Sequence, residues 1–322
     1  MSDSQIFDTP GGGPDAPAID FPRDLGVVLG GLRAARLDWR AGHARHAERS
    51  IQFPSRRALS RILRELGAAL FPLRLGPPEL TAGNENAWVE ATLETSLSQL
   101  SAQIGLDVRI AQPGIDSASE GREADRIIGA FAASLPALRR EIDEDVEAGY
   151  ANDPAARSVD EVLLSYTSLS AIVHYRLAHR LYRLGAPLVA RVITEVAHAE
   201  TGIDIHPGAQ IGQRFFIDHG TGIVIGETAQ IGDRVRLYQG VTLGGEPGPA
   251  REGQGRGDPG VRRHPAIEDD VVIFAGAVLL GPITVGARTR IGGNVWLRRD
   301  VAADSVVEIA AAAIRSRHPH DL

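Results

Sequence analysis

Three histidines and one aspartate in the last third of the sequence are the residues best suited to proton transfer. They are His206, His219, His264 and Asp204, which precedes His219 by fifteen positions. An aspartate one coil before a histidine can hold one ring nitrogen and leave the other free to take a proton from a hydroxyl. This spacing suits a base at His219. On spacing alone, a lone histidine in a repeat turn is more often a hydrogen-bonded surface residue, and Asp204 also suits a turn.

The composition excludes several other chemistries. The chain has 322 residues, a net charge of −7 and no cysteine. Without cysteine there is no disulfide, no thiolate nucleophile and no Cys-ligated zinc or iron–sulfur site. No serine stands in a nucleophile elbow, which favours direct attack by a substrate hydroxyl over an acyl-enzyme.

The charge pattern and the chain's start limit its partners and location. No basic cluster is dense enough to indicate nucleic-acid binding. The first 20 residues lack the basic and apolar regions of a signal peptide, and no apolar run approaches the ~20 residues of a membrane span. We therefore expect a cytoplasmic protein with no nucleic-acid and no membrane partner.

A six-residue repeat must position the candidate residues. Its apolar positions are Ile205, Ile211, Ile217, Ile225, Ile231, Leu237, Leu243, Ile267, Ile273, Leu279, Val285, Ile291 and Leu297, with a two-residue shift before Ile225. A period of six indicates a short strand, a tight turn and another short strand, and three hexads make one triangular coil. Stacked coils bury a continuous apolar column. The repeat predicts a left-handed parallel β-helix, whereas a β-sandwich would not keep this register.

Glycine follows several of these apolar residues, and we expect it to give the backbone a turn conformation that a side chain would resist. The preceding part of the chain has helical spacing. It predicts helices over 24–48, 55–70, 86–105, 120–147, 158–184 and 187–199. Ser158 and Glu161 form a capping-box pattern, and Pro187 suits the first turn of the last helix. The predicted fold class is α+β and multidomain, with an all-helical domain before the β-helix.

The predicted division of the chain has four main parts. Residues 1–22, rich in glycine and proline, form a disordered tail, 23–200 a helical domain, 201–309 the β-helix domain and 310–322 a polar tail. The segment 246–264 has no hexad register, so we expect it to protrude from the coil as a loop. Loops on a rigid scaffold often carry functional sites.

Six motifs lie between positions 153 and 265. They are Asp153-Pro154-Ala155-Ala156, Tyr175-Arg176-Leu177-Ala178-His179, Asp204-Ile205-His206-Pro207, Asp218-His219-Gly220-Thr221-Gly222-Ile223-Val224-Ile225-Gly226-Glu227-Thr228-Ala229, Val241-Thr242-Leu243-Gly244-Gly245 and Arg263-His264-Pro265. Together they resemble the serine O-acetyltransferases, in the long-form branch of these hexapeptide-repeat acetyltransferases. The block that starts at Asp218 is the most specific, because many acyltransferases share hexads alone.

The resemblance implies a catalytic role for three residues. His219 would be the general base on the serine hydroxyl, paired with Asp204. His264 would contact the same hydroxyl region from across the cleft. A backbone amide of the Gly244-Gly245 stretch is a candidate oxyanion donor.

The resemblance also implies binding residues for both substrates. Asp153 and Asp218 would hold the serine ammonium group, and Arg263 would hold its carboxylate, since arginine suits a bidentate ion pair. The residues expected to border acetyl-coenzyme A are Gly244, Gly245, Ala275, Gly276 and Arg290. Small residues would let the pantetheine arm approach the backbone, and Arg290 would meet the coenzyme phosphates.

The implied function is transfer of an acetyl group from acetyl-CoA to L-serine, which gives O-acetylserine for cysteine biosynthesis without a metal. Proteins of this fold generally assemble as trimers with sites between subunits, so we expect a homo-trimer, or a hexamer joined through the helices. Short forms dock a C-terminal isoleucine into O-acetylserine sulfhydrylase. This chain ends in His320-Asp321-Leu322, which argues against that complex.

Three other functions stay open at this point. An acetyltransferase for another hydroxyl, such as that of a sugar, would not need both an ammonium and a carboxylate site. A γ-carbonic-anhydrase type of hydrase also combines this fold with three histidines. However, the histidine spacings here, thirteen and forty-five residues, differ from the one long and one very short gap of that family. A non-catalytic scaffold would bind no acetyl-CoA.

Overall fold

The computed structural model describes residues 25–42, 52–245 and 261–310. The predicted tail at 1–22, most of the predicted loop at 246–264 and most of the polar tail at 310–322 lie outside these ranges. What the sequence predicts for them, and for the domain boundaries, stays a prediction.

Eight helices occur in the described part of the chain. They are α1 (Leu25–Gly42), α2 (Arg56–Leu70), α3 (Pro72–Leu75), α4 (Glu85–Ala111), α5 (Ser117–Asn152), α6 (Val159–Ser165), α7 (Thr167–Leu184) and α8 (Pro187–Thr201). Helix α1 belongs to a separate unit, Met1–Gln52, whereas α2 to α8 belong to a compact unit that starts at Phe53. None of the described helices is long and apolar enough to cross a membrane.

The predicted single helix over 158–184 is wrong, because the structure divides it into α6 and α7. Tyr166 lies between them with extended backbone angles, φ −83° and ψ 111°. Its hydroxyl donates a hydrogen bond to the carboxylate of Asp153. In a continuous helix this hydroxyl would not be positioned to reach Asp153. The two helix starts are as predicted: Ser158 Oγ accepts from the backbone N–H of Glu161 at 3.1 Å, and Pro187 opens α8.

Fourteen short strands follow the helices in the residues that the structure describes. They are β1 (Asp204–Ile205), β2 (Gln210–Ile211), β3 (Phe216–Asp218), β4 (Val224–Ile225), β5 (Gln230–Ile231), β6 (Arg236–Tyr238), β7 (Thr242–Gly244), β8 (Ala266–Ile267), β9 (Val272–Ile273), β10 (Val278–Leu280), β11 (Thr284–Val285), β12 (Arg290–Ile291), β13 (Trp296–Leu297) and β14 (Val306–Val307). Each strand pairs in parallel with the corresponding strand of a neighbouring coil, for example β1 with β4, β2 with β5 and β3 with β6. This confirms the left-handed parallel β-helix.

Three sheets form the faces of the triangular coil. Sheet A is β1-β4-β7-β10-β13, sheet B is β2-β5-β8-β11 and sheet C is β3-β6-β9-β12-β14. All thirteen hexad residues except Ile211 are buried. Their side chains fill the column between the sheets, as the period of six predicts. We call the edges of the coil the A–B, B–C and C–A corners.

The glycines after the hexad residues have a different purpose from the predicted one. Gly212, Gly226, Gly232 and Gly286 do not have a positive φ, but a Cβ on any of them would lie 2.0 to 2.4 Å from atoms of the neighbouring coil. They are needed for close stacking of coils. The positive φ angles at the B–C corners fall on charged residues instead: Arg214, Arg234, Asp270, Arg288 and Asp304.

A buried ion pair attaches the helices to the first coil. Arg176 of α7 donates from Nε and Nη2 to the two carboxylate oxygens of Asp145 on α5, at 3.0 and 3.1 Å. The same guanidinium donates to the carbonyls of Ile211 and Gly212, and Asp145 accepts from the backbone N–H of Phe215 at 2.9 Å. Both side chains are almost fully buried. The pair therefore fixes α5 and α7 on the open end of the β-helix.

Replacing Arg176 with methionine is expected to lower the free energy of unfolding by about 3–5 kcal/mol, because the Asp145 carboxylate stays buried without its cation. Chemical unfolding followed by circular dichroism measures the change. Arg74→Met is the matched control: it removes the guanidinium from the half-exposed Arg74–Asp160 pair, and its unfolding midpoint should stay close to that of the wild type. Equal losses in both variants would contradict a special role for the buried pair.

Candidate active site

The predicted catalytic and substrate residues form two groups on different edges of the β-helix. One group lies at the C–A corner of the first coil, between the end of β3 at Asp218 and the start of β4 at Val224. The other surrounds His264 at the A–B corner, directly before β8. Sheet A separates the two edges. A single chain therefore does not bring His219 and His264 together.

His219 lies at the two-residue shift of the repeat. Five residues separate β3 from β4 there, and His219 has a left-handed φ of 60°. Its side chain is 72% exposed, and its Nε2 is 3.6 Å from Oδ1 of Asp218. A positive φ is uncommon for a residue with a Cβ. The corner thus holds the imidazole out into solvent, where it is accessible to a substrate.

Asp204 is not the carboxylate that lies against His219 in this structure. Its Oδ1 is 3.7 Å from Nη1 of Arg191, and this oxygen is buried without a hydrogen bond in the described part of the chain. The exposed imidazole of His219 is close to Asp218 instead. The role expected for Asp204 stays a prediction.

Asp204 also belongs to the one group of possible metal ligands found among the described residues. Ligand atoms of Glu195, His198 and Asp204 lie within 4.8 Å of one another. The guanidinium of Arg191 pairs with both of these carboxylates, so an arginine already supplies positive charge here. The expectation that no metal is needed stays a prediction.

Asp153 lies at the C-cap of α5 and is held by two donors. Its Oδ1 accepts from the backbone N–H of Ala155 at 2.8 Å, and its Oδ2 accepts from the hydroxyl of Tyr166. The hydrogen bond from Tyr166 is the main cause that lowers the pKa of Asp153, and it raises the pKa of Tyr166 to about 12. Asp153 is therefore an anion, and the charges of Arg236 and His219 also favour its ionised form.

Asp218 is held by an arginine that the sequence did not single out. Nη2 of Arg236 donates to Oδ2 of Asp218, and the guanidinium lies over the ring of Tyr238, 4.7 Å from its centroid. Nε of Arg236 is buried without a hydrogen-bond partner among the described residues. The C–A corner therefore presents two carboxylates, Asp153 and Asp218, beside the exposed His219, with Arg236 behind them.

His264 is buried at the A–B corner and is held through one ring nitrogen. Nδ1 lies 3.1 Å from the backbone nitrogen and 2.8 Å from the hydroxyl of Thr228. Burial, followed by the positive charge of Arg263, lowers the pKa of His264. The ring lies against Gly226, where a Cβ would be 2.0 Å from Cδ2 of His264. This histidine is neutral and held in place, whereas the ring of His219 is exposed.

Arg263 extends the same corner with a chain of polar contacts. Its guanidinium pairs with Oε2 of Glu227, and Oε1 of Glu227 accepts from the hydroxyl of Tyr182 at 3.0 Å. The neighbouring Arg262 turns away and donates to the carbonyls of Pro282 and Ile283. Arg263, half-exposed, is thus the arginine available to an anionic ligand.

His206, the third histidine of the repeat, lies at the A–B corner of the first coil. Its ring contacts Tyr182 edge-on, and its Nδ1 accepts from the backbone N–H of Gly208 at 3.0 Å. Burial lowers the pKa of His206. Among the charges that act on this pKa, that of Glu227 has the largest effect, and it opposes the effect of burial. It therefore belongs to the His264 group.

The residues expected to border acetyl-CoA are divided in the same way. Gly244 ends β7, and the next residue, Gly245, is against His264: a Cβ on Gly245 would be 3.4 Å from its Nε2. Gly276 and Ala275 lie at the C–A corner that follows β9, and Gly276 has a φ of 71°. Arg290 lies on sheet C, with its guanidinium over the ring of Phe274 at 5.3 Å.

A cleft on sheet C connects two of these positions to aromatic residues. Ala275 and Arg290 line it together with Tyr238 and Phe274, whose rings stack with centroids 5.1 Å apart. Aromatic faces and a guanidinium suit a purine ring and phosphates. The cleft thus fits the coenzyme chemistry expected at Ala275 and Arg290.

Four residues that contribute to these groups were not predicted as site residues: Tyr166, Glu227, Thr228 and Arg236. Glu227 and Thr228 lie in the motif that starts at Asp218, so that motif could have indicated them. Arg236 occupies an ordinary outward position of a strand, and Tyr166 lies in what the spacing predicts as a helix. The sequence carries no signal for either.

The chain has clear relatives among known proteins, although no family model matches it. The plasmid serine acetyltransferase of Synechococcus elongatus is 51% identical over 268 residues, which are 82% of this chain and 83% of that protein. The serine acetyltransferase of Bacillus licheniformis is 50% identical over 164 residues, 51% of this chain and 71% of the relative. Among solved structures, serine acetyltransferase isoform 3 of Entamoeba histolytica, in complex with cysteine, has a TM-score of 0.66 at 35% identity and covers 80% of this chain and 83% of its own.

The fold and the site residues together indicate the class of protein. A left-handed β-helix of hexads preceded by helices, with histidines and carboxylates at its corners, is typical of the hexapeptide-repeat acyltransferases. Half of the residues are identical to those of the Synechococcus relative over more than four-fifths of both chains. The chain therefore belongs to the serine acetyltransferase family.

The close contact between Gly226 and His264 gives a direct test of the A–B corner. Gly226→Ala is expected to lower the free energy of unfolding by about 2 kcal/mol, because its Cβ would overlap the His264 ring. Gly67→Ala, in α2, is the control: outside the backbone of its own helix, no atom lies within 4 Å of its Cβ position, so stability should stay the same or rise by up to about 1 kcal/mol. Thermal unfolding compares the variants, and a neutral Gly226→Ala would show that the ring is not seated there.

Proposed function

We propose that the protein transfers the acetyl group of acetyl-CoA to the hydroxyl of L-serine, with His219 as general base, and so makes O-acetylserine for cysteine synthesis. The observation that carries this proposal is the C–A corner. An exposed histidine in a left-handed conformation lies there beside two carboxylates, 3.6 Å from that of Asp218. A cation and a hydroxyl on neighbouring carbons, as in serine, suit such a corner.

The proposed mechanism is a direct transfer. The imidazole of His219 takes the proton of the serine hydroxyl while the serine oxygen attacks the thioester carbon. The C–S bond then breaks, and the imidazolium returns the proton to the leaving thiolate. Oδ1 of Asp204, which has no hydrogen bond among the described residues, would accept one from the ring during the transfer. Cysteine is absent from the chain, so a thiol acyl-enzyme plays no part.

Charge complementarity supports free serine as the acceptor. Asp153 and Asp218 supply negative charge for the ammonium group at one corner, and Arg263 supplies positive charge for the carboxylate at the other. In the structure, Arg236 and Glu227 neutralise two of these charges, so the substrate would join existing ion pairs. A sugar would use neither charge, which is why serine is preferred over another hydroxyl acceptor.

The division of the site over two edges supports a trimer. The three corners of a β-helix prism project in different directions, so the C–A corner of one subunit can face the A–B corner of the next around a threefold axis. His219, Asp153 and Asp218 would then come from one subunit, and Arg263 and His264 from its neighbour. A hexamer formed through the helices stays a prediction.

Thiol release from acetyl-CoA, with and without L-serine, tests the proposed activity. The wild type should release coenzyme A only when serine is present, and His219→Ala should lower kcat by about 100-fold or more, as expected for loss of a general base. His174→Ala, whose ring bonds a carbonyl within α7, is the control and should behave as the wild type. Release with a sugar but not with serine would overturn the acceptor, and an unchanged His219→Ala would overturn the base.

Mixed oligomers test whether the two groups meet between subunits. Co-expressed His219→Ala and His264→Ala chains, mixed randomly in equal amounts, should regain about a quarter of the wild-type activity, because one interface in four combines both intact histidines. Each variant alone should be inactive. A mixture of His219→Ala chains with chains that carry both substitutions is the control, because none of its interfaces combines an intact His219 with an intact His264. No recovery in the mixed oligomers would contradict a shared site.

A further inference from the structure

We infer that Thr228 fixes His264 as the neutral imidazole with its proton on Nε2, and that His264 is consequently the hydrogen-bond donor to the thioester oxygen and not a second base. This inference rests on the proposed transfer and deepens it. It gives the two histidines of the site opposite roles. Thr228 is the positioning residue in this account.

The contacts of Thr228 determine where its hydroxyl hydrogen lies. Oγ1 accepts from the backbone N–H of Arg263 at 2.8 Å and from the backbone N–H of His264 at 3.2 Å. A hydroxyl has two acceptor lone pairs and one hydrogen. With both lone pairs occupied, the hydrogen is directed to the remaining neighbour, Nδ1 of His264, at 2.8 Å.

The same nitrogen receives a second donor. The backbone N–H of Thr228, which cannot act as an acceptor, lies 3.1 Å from Nδ1. Nδ1 must therefore carry a lone pair, and the proton of the neutral ring lies on Nε2. Protonation of the ring would place an N–H against two other donors. Burial disfavours the charged ring as well.

The position of Nε2 indicates which group the N–H of His264 can reach. Nε2 lies between two glycines: a Cβ on Gly226 would be 2.1 Å from it, and a Cβ on Gly245 would be 3.4 Å from it. Nε2 has no hydrogen-bond partner in the described part of the chain. Gly245 belongs to the stretch that the sequence resemblance implies for the pantetheine arm of the coenzyme, whose thioester is at its end. The N–H is thus directed to where the thioester would lie.

A donor at this position acts differently from a base. As the serine oxygen adds to the thioester carbon, the carbonyl oxygen gains negative charge, and a fixed N–H stabilises it without a proton transfer. A neutral ring held by two donors at Nδ1 has no accessible lone pair with which to take a proton. The base must then be His219, whose ring is exposed and unconstrained by such contacts.

The tautomer itself is measured first, on the intact, ligand-free protein. Solid-state ¹⁵N spectra of histidine-labelled wild type, with the His264 signals assigned by their loss in His264→Gln, should show unprotonated Nδ1 and protonated Nε2. Thr228→Val keeps the backbone N–H donor, so Nδ1 should stay unprotonated, but its ¹⁵N signal should shift because the hydroxyl donor is lost, and Thr228→Ser should restore the wild-type shift. His206, whose Nδ1 accepts from the backbone N–H of Gly208, should not change in any variant. A proton on Nδ1 of wild-type His264 overturns the inference.

Kinetics then separate a donor from a base. A glutamine amide can replace a ring N–H donor but cannot accept the proton, so His264→Gln should keep at least about tenfold more kcat than His264→Ala, whereas His219→Gln and His219→Ala should be equally inactive. Thr228→Val should lower kcat about tenfold with a smaller change in KM for serine, and Thr228→Ser should recover most of it. Equal loss in both His264 variants overturns the donor role.

The two readouts distinguish the inference from the proposed function. If wild-type protein released no thiol with serine, the acceptor would be wrong, but the ring signals of His264 would still report its tautomer. If transfer to serine occurred and His264 carried its proton on Nδ1, the proposed function would stand and this inference would fail.

Discussion

The buried pair of Arg176 and Asp145 is the interaction on which the rest of the structure depends. It joins two helices to the first coil through a network in which each charge is paired and also bonded to backbone groups of the β-helix. Removing two such charges from water is costly unless their hydrogen bonds are satisfied. The network meets that condition, and it therefore specifies one orientation of the helices on the coil.

This orientation places half of the candidate site. Asp153 lies eight residues after Asp145 on the same helix, about 12 Å further along its axis, and Tyr166 directly precedes the helix that carries Arg176. The buried ion pair thus brings Asp153 and Tyr166 to the corner that holds Asp218 and His219. The A–B corner is arranged by different means: Gly226 leaves space for the ring of His264, and Thr228 holds the end of the long loop against the second coil.

The sequence predicted the fold well because a hexad repeat fixes both the strand length and the inward residue. It could not show that Tyr166 interrupts a helix, since the apolar spacing continues on both sides and the cause is a distant carboxylate, Asp153. Nor could spacing place His219 and His264 on different edges, because the loop between them breaks the count of hexads. Spacing also gives no side-chain direction at a corner with positive φ, so the sequence could not show that the ring of His219 lies near Asp218 in this structure.

The contacts of α7 with the first coil have a consequence for how the stack of coils ends. The outermost strands of a parallel stack leave a row of unpaired carbonyls, which invites another strand to add. Here Tyr175, Arg176 and His179 bond the carbonyls of Ala209, Ile211, Gly212 and Pro207. A helix thereby replaces the missing coil through side chains spaced along one of its faces. The chain terminates its own β-stack, and end-to-end growth into fibres is blocked on this side without a proline or a bulge in the edge strands.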